Sequence, residues 1–555
     1  MSVTLVVAVG LLGSSLLSGA GAVEHDGPPV AGGDTGTWRF VPELLEEFDT
    51  EAAMAVVRLV DGHYRAPGNE GYDLSLDRVR AELEAMGFGS REGLELEEVR
   101  IPLGSPAWTP RAARLELLLP GGESVELQAF SEPGDRDRVM LPVNAPSAEV
   151  EGVLVLDPDG VRPGCVYAGE EKLSRRSVAG HARRGAAAVL SASLSDLTVD
   201  PSGEEQHLDA IAFRSVPRGI ALPVAQLSPR SLGRLRELAA EHGELRVRLT
   251  TRVEWREEAE LRTLVARIVG ASRPFESVVI ASHVQEPGAG DNASGVGGLC
   301  QGAVALARSL REGALDRPAR TLELVFGDEM RQSAIHLERT ELQVVAAISA
   351  DMLGQSRAAT GALCLLERSP DPGALVTLLP DRHTPWGAGA VEEEDLLPAG
   401  VSVVARTALA DVARAVGGWD TGENPWEGGS DHDIFLRRGV PAVLLWHFTD
   451  WTYHTSLDRL ERLDPEELRR SAVTVVATGL ALADLRAADL PRHRASNALE
   501  LDLRVAAALE AGRPDVARLW REWSRGVELW LEASTVDPEP ENDDALRRPE
   551  RRDDP

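Results

Sequence analysis

Residues 277–299 read SVVIASHVQEPGAGDNASGVGGL, and this stretch decides the fold class. It begins with an apolar run of strand length, 277–282, passes through a glycine-rich loop and enters an apolar helical pattern. Three more apolar runs of strand length follow, at 321–326, 344–349 and 441–446. Such near-continuous apolar runs are typical of strands that are buried on both faces. We therefore predict an α/β three-layer sandwich with a mostly parallel central sheet.

Polar residues that could bind metal follow these runs, at the point where each predicted strand ends or in the loop behind it. Ligands in open α/β sheets collect outside the carboxyl ends of the strands, so we expect these side chains to lie close together. A single such residue is usually a helix cap or a surface residue, but five such positions form a conjunction. They are His283, Asp291, the adjacent pair Asp328 and Glu329, Asp351 and His454.

The motifs around these residues resemble those of a known family. In chain order they are GAGDNASGVGGL, ADMLG, GGSDHDIFLRRGVPAVLL and YHTSLDRLERLD. They are similar to motifs of the two-zinc metallopeptidases, metallopeptidase family twenty-eight, which include bacterial secreted leucine aminopeptidases, glutamate carboxypeptidase and glutaminyl cyclase. The resemblance covers residues 258–485, and the opening helices more loosely. The segment 105–257, with short β-rich runs, is similar to the small protease-associated domain that is often inserted in these enzymes.

The resemblance implies a site with two Zn²⁺ ions per chain, bridged by the carboxylate of Asp291. The other implied ligands are His283 and Asp351 on one ion, and Glu329 and His454 on the other. Imidazole and carboxylate donors suit zinc, and a zinc pair activates water for attack on a carbonyl. Asp328 is implied as the carboxylate that takes the proton of this water.

Two positions depart from the family pattern. The family usually has two consecutive glutamates where this chain has Asp328 and Glu329. A shifted register would make Glu329 the base, but it would place the thioether of Met330 among the ligands, so we keep Asp328 as the base. The family also has an aspartate two residues after its first histidine, where this chain has Gln285. We expect the amide of Gln285 to orient His283 by hydrogen bonding.

Other polar and aromatic residues are assigned supporting roles. Ser430, Asp431 and His432 are adjacent, so they do not form a nucleophile and base relay, and the chain has no GxSxG elbow. Asp431 and His432 are predicted to support the site without binding metal. Tyr453 stands beside His454 in an aromatic cluster that either lines a substrate pocket or packs in the core. The other aromatic residues of this cluster are Trp446, Phe448 and Trp451, and the remaining histidines weighed, as structural, are His383 and His447.

The expected function is that of a secreted zinc-dependent exopeptidase, an aminopeptidase that acts on peptide or protein N-termini. A glutaminyl cyclase-like or a carboxypeptidase-like zinc enzyme stays open as an alternative. So does a metal-free receptor or scaffold on the same fold. Relatives of that last kind usually lose several ligands, whereas all five implied ligands are present here, which favours a hydrolase.

Composition excludes several other functions. The 555 residues carry a net charge of −31, which disfavours nucleic acid and membrane-surface partners. Lys172 is the only lysine, and it lies in neither a phosphate-binding loop nor a Schiff-base setting. Three widely spaced cysteines indicate buried thiols rather than a disulfide framework. The sequence does not indicate an oligomeric state.

The chain is predicted to have several segments. An apolar run followed by Ala20-Gly21-Ala22 indicates an export signal, hence a secreted or periplasmic protein. Apolar spacing predicts opening helices over 41–62 and 75–86. The predicted segments are a signal peptide (1–22), opening helices of the catalytic domain (38–104), an insert (105–257), the catalytic domain (258–490), a helical extension (491–535) and a disordered charged tail (536–555).

Overall fold

The computed structural model describes residues 35–536 of the chain. The predicted signal peptide, 1–22, and all but the first residue of the predicted tail lie outside these described residues. No helix between residues 35 and 536 is long and apolar enough to cross a membrane. The three cysteines are buried and free.

The described residues form fifteen strands and fourteen α-helices. The strands are β1 (Leu94–Pro102), β2 (Ala107–Leu118), β3 (Ser124–Phe130), β4 (Ala148–Val155), β5 (Cys165–Gly169), β6 (Ala188–Ser191), β7 (Val224–Gln226), β8 (Arg246–Arg256), β9 (Glu260–Ile268), β10 (Arg273–His283), β11 (Arg320–Gly327), β12 (Gln343–Ala350), β13 (Leu363–Glu367), β14 (Thr421–Asn424) and β15 (Ala442–Phe448). The helices are α1 (Val41–Glu47), α2 (Thr50–Asp61), α3 (Glu70–Met86), α4 (Arg175–Arg183), α5 (Pro229–His242), α6 (Ala293–Glu312), α7 (Arg331–Arg339), α8 (Arg357–Thr360), α9 (Pro372–Leu375), α10 (Val401–Ala415), α11 (His432–Leu436), α12 (Pro465–Ala483), α13 (Leu490–Glu510) and α14 (Pro514–Ala533).

The larger sheet has eight strands in the order β1-β9-β11-β10-β12-β15-β13-β14. Its four central strands, β11, β10, β12 and β15, are parallel, and they contain the four apolar runs that predicted them. Outside these four, β9 runs antiparallel to both β11 and the edge strand β1, and β13 runs antiparallel to β15. Because the central strands are parallel, their carboxyl ends meet at one edge of the sheet.

Helices cover both faces of this sheet, as the alternation of side chains along a strand requires. Val278 and Ile280 of β10 belong to the large core that is shared with α6 and α12. Val279 and Ala281 face the opposite way, into a smaller cluster that contains Phe435 of α11. The central sheet is therefore the middle layer of a three-layer sandwich.

A second sheet lies within the predicted insert. It has seven strands in the order β3-β2-β8-β4-β5-β6-β7, of which β4, β5, β6 and β7 are parallel. It has a hydrophobic core of its own, built from residues such as Leu115, Val166 and Leu249. Residues 107–256, which run from the first to the last strand of this sheet, are called the insert below.

The opening helices differ from the prediction in their boundaries. The single helix expected over 41–62 is two helices, α1 and α2, because Asp49 interrupts it. The Asp49 side chain accepts a hydrogen bond from the Ala52 N–H and caps α2. Similarly, α3 begins before residue 75, at Glu70, where Asn69 caps it. The side chains of Asp49 and Asn69 bind backbone N–H groups and so decide where α2 and α3 begin. Apolar spacing does not record such polar contacts, so it did not locate these helix ends.

Candidate metal centre

The sheet edge gathers the predicted ligands. His283 is the last residue of β10, and Asp351 comes directly after β12. Asp291 lies in the glycine-rich loop before α6, one residue before the cap Asn292. Asn292 fixes this loop against the neighbouring strand, because its side chain accepts a bond from the Met352 N–H at 2.9 Å. The loop is thereby held over the ends of two parallel strands.

One group of possible metal ligands consists of His283, Asp291 and Asp351. The Nε2 atom of His283 lies 3.1 Å from Oδ1 of Asp351 and 3.7 Å from Oδ1 of Asp291. His283 is 1% exposed, and neither its Nε2 nor Oδ1 of Asp351 has a hydrogen-bond partner among the described residues. Buried polar atoms without a partner are costly. These two atoms point at each other across a space that a cation would satisfy, so the residues fit a metal ion.

The second group consists of Glu286, Asp291 and His454. The Nε2 atom of His454 lies 3.1 Å from Oδ2 of Asp291 and 3.3 Å from Oε2 of Glu286. The two oxygens of the Asp291 carboxylate therefore face two different histidines. This is the arrangement that a carboxylate between two metal ions requires.

The structure places Glu329 and Gln285 against each other. Oε1 of Glu329 lies 3.8 Å from Nε2 of His283, on the side of the first group. The Gln285 side chain donates to Oε2 of Glu329 at 3.3 Å and accepts from the Glu329 N–H at 2.7 Å. Nδ1 of His283 instead donates to the backbone oxygen of Gln285, at 3.3 Å. The amide of Gln285 thus positions Glu329, whereas we expected it to orient His283. The assignment of Glu329 as a ligand of the His454 ion stays a prediction.

Glu286 is the residue that sequence reasoning missed. The sequence pointed to Glu286 in one way only: it is the one acidic residue in the loop between the two predicted ligands His283 and Asp291. At this position the family resemblance assigned nothing. The short loop turns the Glu286 carboxylate back toward His454, a contact between residues 168 positions apart in the chain.

Asp328, the predicted base, lies directly after β11 with an 8% exposed side chain. Its Oδ2 accepts a hydrogen bond from Arg331 at 3.3 Å. Burial raises the pKa of Asp328 to about 6, although Arg331 opposes this shift. A carboxylate whose pKa lies near neutrality accepts and returns protons efficiently, so the value suits a general base.

Burial and neighbouring charges shift the pKa values of the two histidines and of the carboxylates around them. Burial lowers the pKa of His283, but the Asp351 and Glu329 carboxylates outweigh it and hold that pKa well above its usual range. The pKa of His454 is raised in the same way, mainly by Glu286 against the effect of burial. Burial also raises the pKa of Asp291, with the Glu286 charge adding to it. A divalent cation would displace the protons that these groups hold in its absence.

Two side chains that follow β14 support the centre. Ser430 donates to Oδ2 of Asp351 at 2.8 Å, which leaves Oδ1 free to face His283. The fully buried His432 pairs with Oε1 of Glu367 at 2.9 Å and so lies outside the metal groups. Both contacts fix the loop that carries Ser430 and His432. This matters for the metal centre because a ligand such as Asp351 needs a fixed orientation.

Asp431, between them, holds the turn that follows the predicted base. The carboxylate is completely buried. It accepts three hydrogen bonds, from the Met330 N–H (2.9 Å), Nε2 of Gln332 (2.6 Å) and Oγ of Ser333 (2.6 Å). The turn that carries Asp328 and Glu329 is therefore anchored from a strand connection about 100 residues away.

The aromatic cluster divides between core and site. Trp446, Phe448 and Trp451 are at most 6% exposed, so they pack in the core. Tyr453 is half-buried, and its ring stacks on the His454 imidazole with ring centroids 3.9 Å apart. Of this cluster, Tyr453 is the side chain that is not fully buried, and its contact with a substrate stays a prediction. His447 pairs with Glu467 and His383 with Glu427, in agreement with structural roles.

The backbone around the centre is strained. Six non-glycine residues in the described part of the chain have positive φ, and four of them lie at the centre or beside it. They are Glu286 (84°), Met330 (59°), Met352 (51°) and His454 (54°). Such conformations cost about 1–3 kcal/mol each and persist where the surroundings impose them, commonly at functional sites.

Comparison with known proteins agrees with this geometry. Residues 387–479 match the model of Peptidase family M28, and the matched segment contains Asp431, His432, Tyr453 and His454. The resemblance to this metallopeptidase family is confirmed. A search among curated proteins finds no match for the chain.

Comparison with solved structures finds several that are similar to this chain. A peptidase M28 precursor from Shewanella amazonensis SB2B is similar over 80% of this chain and 96% of its own, with 16% identity and a TM-score of 0.53. A putative peptidase from Clostridium acetobutylicum is similar over 81% and 84%, with 14% identity and a TM-score of 0.51. BSAP, a zinc aminopeptidase from Bacillus subtilis, covers 78% and 94%, with 14% identity and a TM-score of 0.49. The likeness to the first two confirms the α/β fold class. The description of the insert as a protease-associated domain stays a prediction.

Proposed function

We propose that the chain is a zinc-dependent exopeptidase, an aminopeptidase that hydrolyses the peptide bond next to a free N-terminus. The observation that carries the proposal is the position of Asp291, whose two carboxylate oxygens face His283 at 3.7 Å and His454 at 3.1 Å. Two groups of donors that share one carboxylate are what a pair of metal ions needs. The imidazole and carboxylate donors suit zinc.

The chain's own residues divide the work of hydrolysis. Zinc, when it is bound, supplies Lewis-acid activation of the substrate carbonyl and of the attacking water. Asp328 would take a proton from this water on a carboxylate oxygen and return it to the nitrogen of the leaving amine. Gln285 and Asp431 keep the Asp328-Glu329 turn in place, through their bonds to Glu329 and Met330.

Charge supports a free amine as the recognised end of the substrate. Four carboxylates contribute to the two metal groups or contact them, Glu286, Asp291, Glu329 and Asp351. Two Zn²⁺ ions would balance these four charges, and the charge of a fifth carboxylate, Asp328, is opposed by Arg331 at 3.3 Å. Within residues 35–536, none of the four forms an ion pair with an arginine. Carboxylates therefore outnumber arginines around the proposed site, which favours the ammonium group of an N-terminus over a C-terminal carboxylate.

The test combines zinc content with turnover of amino-acid anilides. We expect about two zinc ions per chain after dialysis against metal-free buffer. D328N should lower kcat by about 10²–10⁴-fold, because the general base is lost, while the zinc content is kept. D420N is the matched control, since Asp420 is an exposed aspartate that pairs with Arg357. Undiminished turnover in D328N would overturn the assignment of the base, and absence of zinc would overturn the metallopeptidase proposal.

The secreted location is part of the same proposal and rests on the sequence of residues 1–22. Cleavage after Ala22 predicts a mature chain that begins at Val23. Mass spectrometry of the protein recovered from the periplasm and the medium of an expressing bacterium measures this directly. A full-length chain retained in the cytoplasm would contradict it.

A further inference from the structure

The insert reaches the metal centre through a buried arginine. Arg138 belongs to a short helical turn, Arg136–Met140, whose Val139 and Met140 lie in the core of the insert. Its guanidinium is 1% exposed and donates through Nη2 to the backbone oxygen of Pro287. Pro287 is the residue after Glu286. A side chain anchored in the insert therefore holds the backbone next to a candidate ligand.

A second contact from the insert holds the other candidate ligand of the same group. The Phe213 N–H donates to the backbone oxygen of His454 at 2.7 Å. The Phe213 ring also meets the His454 imidazole edge-on, with ring centroids 5.5 Å apart. Next to it, Ile211 and Ser456 exchange two hydrogen bonds, at 2.8 and 3.0 Å. The segment 211–213 thus fixes both the backbone and the ring of His454.

An ion-pair bridge joins these two contacts. Asp61 is buried and lies 3.1 Å from both Arg138 and Arg459, one on each carboxylate oxygen. Arg459 follows His454 in the chain, and it donates to the backbone oxygen of Gly134 in the insert at 3.0 Å. The insert, the end of α2 and the loop that carries His454 are therefore connected by ion pairs that meet at the buried Asp61.

The two metal groups differ in what supports their ligands. Glu286 and His454 both have left-handed backbones, which neighbouring structure must impose. His283, by contrast, is the last residue of β10 and is hydrogen-bonded within the sheet, and Asp351 follows β12. The catalytic domain by itself holds the first group. In the second group, Arg65 of the catalytic domain holds the backbone oxygens of Val284 and Gly288 on either side of Glu286, and residues 138 and 213 add contacts from the insert.

We propose that the insert controls the metal ion bound by Glu286, Asp291 and His454, with Arg138 and Phe213 as its positioning residues. The inference rests on the proposed zinc function and adds Glu286 as a ligand. It gives the insert a specific role: both ions share Asp291, but the contacts from the insert reach the other two ligands of the second ion, Glu286 and His454. Loss of an insert contact should weaken the His454-side ion and spare the His283-side ion.

The test measures zinc affinity by chelator competition in two backgrounds that each remove one ion. H283A removes a ligand of the first ion, and H454A removes a ligand of the second. Adding R138M to H283A should weaken the remaining zinc by about 10–100-fold, the usual effect of losing a residue that orients a ligand. Adding R138M to H454A should leave its zinc affinity unchanged. R136M is the matched control, because Arg136 stands in the same turn but is half-exposed and pairs with Asp137.

F213A provides an independent variant with the same expectation if R138M does not fold. A lower affinity confined to the H283A background supports the inference. Equal losses in both backgrounds would overturn it, because they indicate a general structural role, and unchanged affinity in both would overturn it as well. E286Q should reproduce the loss in the H283A background. A wild-type chain without zinc would refute the proposed function itself, whereas two zinc ions with an unaffected R138M variant would refute this inference alone.

Discussion

Replacement of Asp431 tests how the turn after β11 is held. Its Oδ1 accepts from the Met330 N–H and from Oγ of Ser333, and its Oδ2 accepts from Nε2 of Gln332. D431A removes the acceptor of three buried donors at once. Each buried donor left without a partner costs about 1–3 kcal/mol. We therefore expect D431A to lower the free energy of unfolding by at least about 3 kcal/mol, a large part of a typical stability of about 5–15 kcal/mol.

D431N should cost far less, because Gln332 can adapt. Oε1 of Gln332 is buried and has no hydrogen-bond partner among the described residues. If the Gln332 amide turns over, this oxygen accepts from the new Asn amide, while the Asn oxygen keeps the bonds to Met330 and Ser333. All three contacts survive, so the expected loss is about 1 kcal/mol, the difference between charged and neutral hydrogen bonds.

Urea unfolding of the zinc-free proteins, followed by tryptophan fluorescence, measures both changes. D431A should also lower kcat, since the Met330 bond fixes the turn that carries Asp328. D420A is the control on the surface, with an expected change within about 0.5 kcal/mol. The reasoning is refuted if D431A stays within about 1 kcal/mol of the wild type or if D431N is as damaging as D431A.

Two more changes follow from the structure. S430A removes the bond that orients Asp351, so zinc affinity measured by chelator competition should fall about 10–100-fold, and an unchanged affinity would show that Asp351 needs no such support. The zinc-free chain should lose stability as pH rises from about 4 to 7, because burial raises the pKa of Asp328 to about 6 and that of Glu427 to about 7. The folded chain then keeps protons that the unfolded chain has released, and for Asp328 alone the shift corresponds to about 3 kcal/mol. Urea midpoints in chelator at pH 5 and 7.5 check the sign, and a higher midpoint at pH 7.5 would contradict it.

The central sheet and its polar edge could be predicted because both depend on short, continuous stretches of sequence. Apolar runs that are buried on both faces mark parallel strands, and the residue after each run must lie at the carboxyl edge of the sheet. That argument located His283 and Asp351 directly. The helix ends were less well predicted, because single capping side chains such as Asp49 decide them.

The contacts that each predicted side chain makes could be identified only in the three-dimensional structure. Gln285 was expected to orient His283, but the path of its loop brings the amide to Glu329 instead. Glu286 carried no motif, and only the turn of the short loop directs it to His454. Distances between side chains in loops depend on how the chain packs, which apolar periodicity does not record.

The sequence by itself determined the fold class, the resemblance to M28 peptidases and every residue of the two metal groups except Glu286. Strand and helix periodicities, and motifs of a few residues, are enough for these. The tertiary structure alone decided that Asp291 faces two histidines and that Arg138 and Phe213 of the insert hold the loops of the second group. These contacts join residues up to 241 positions apart (Phe213 to His454), and close packing of separate domains, rather than local propensity, brings such residues together.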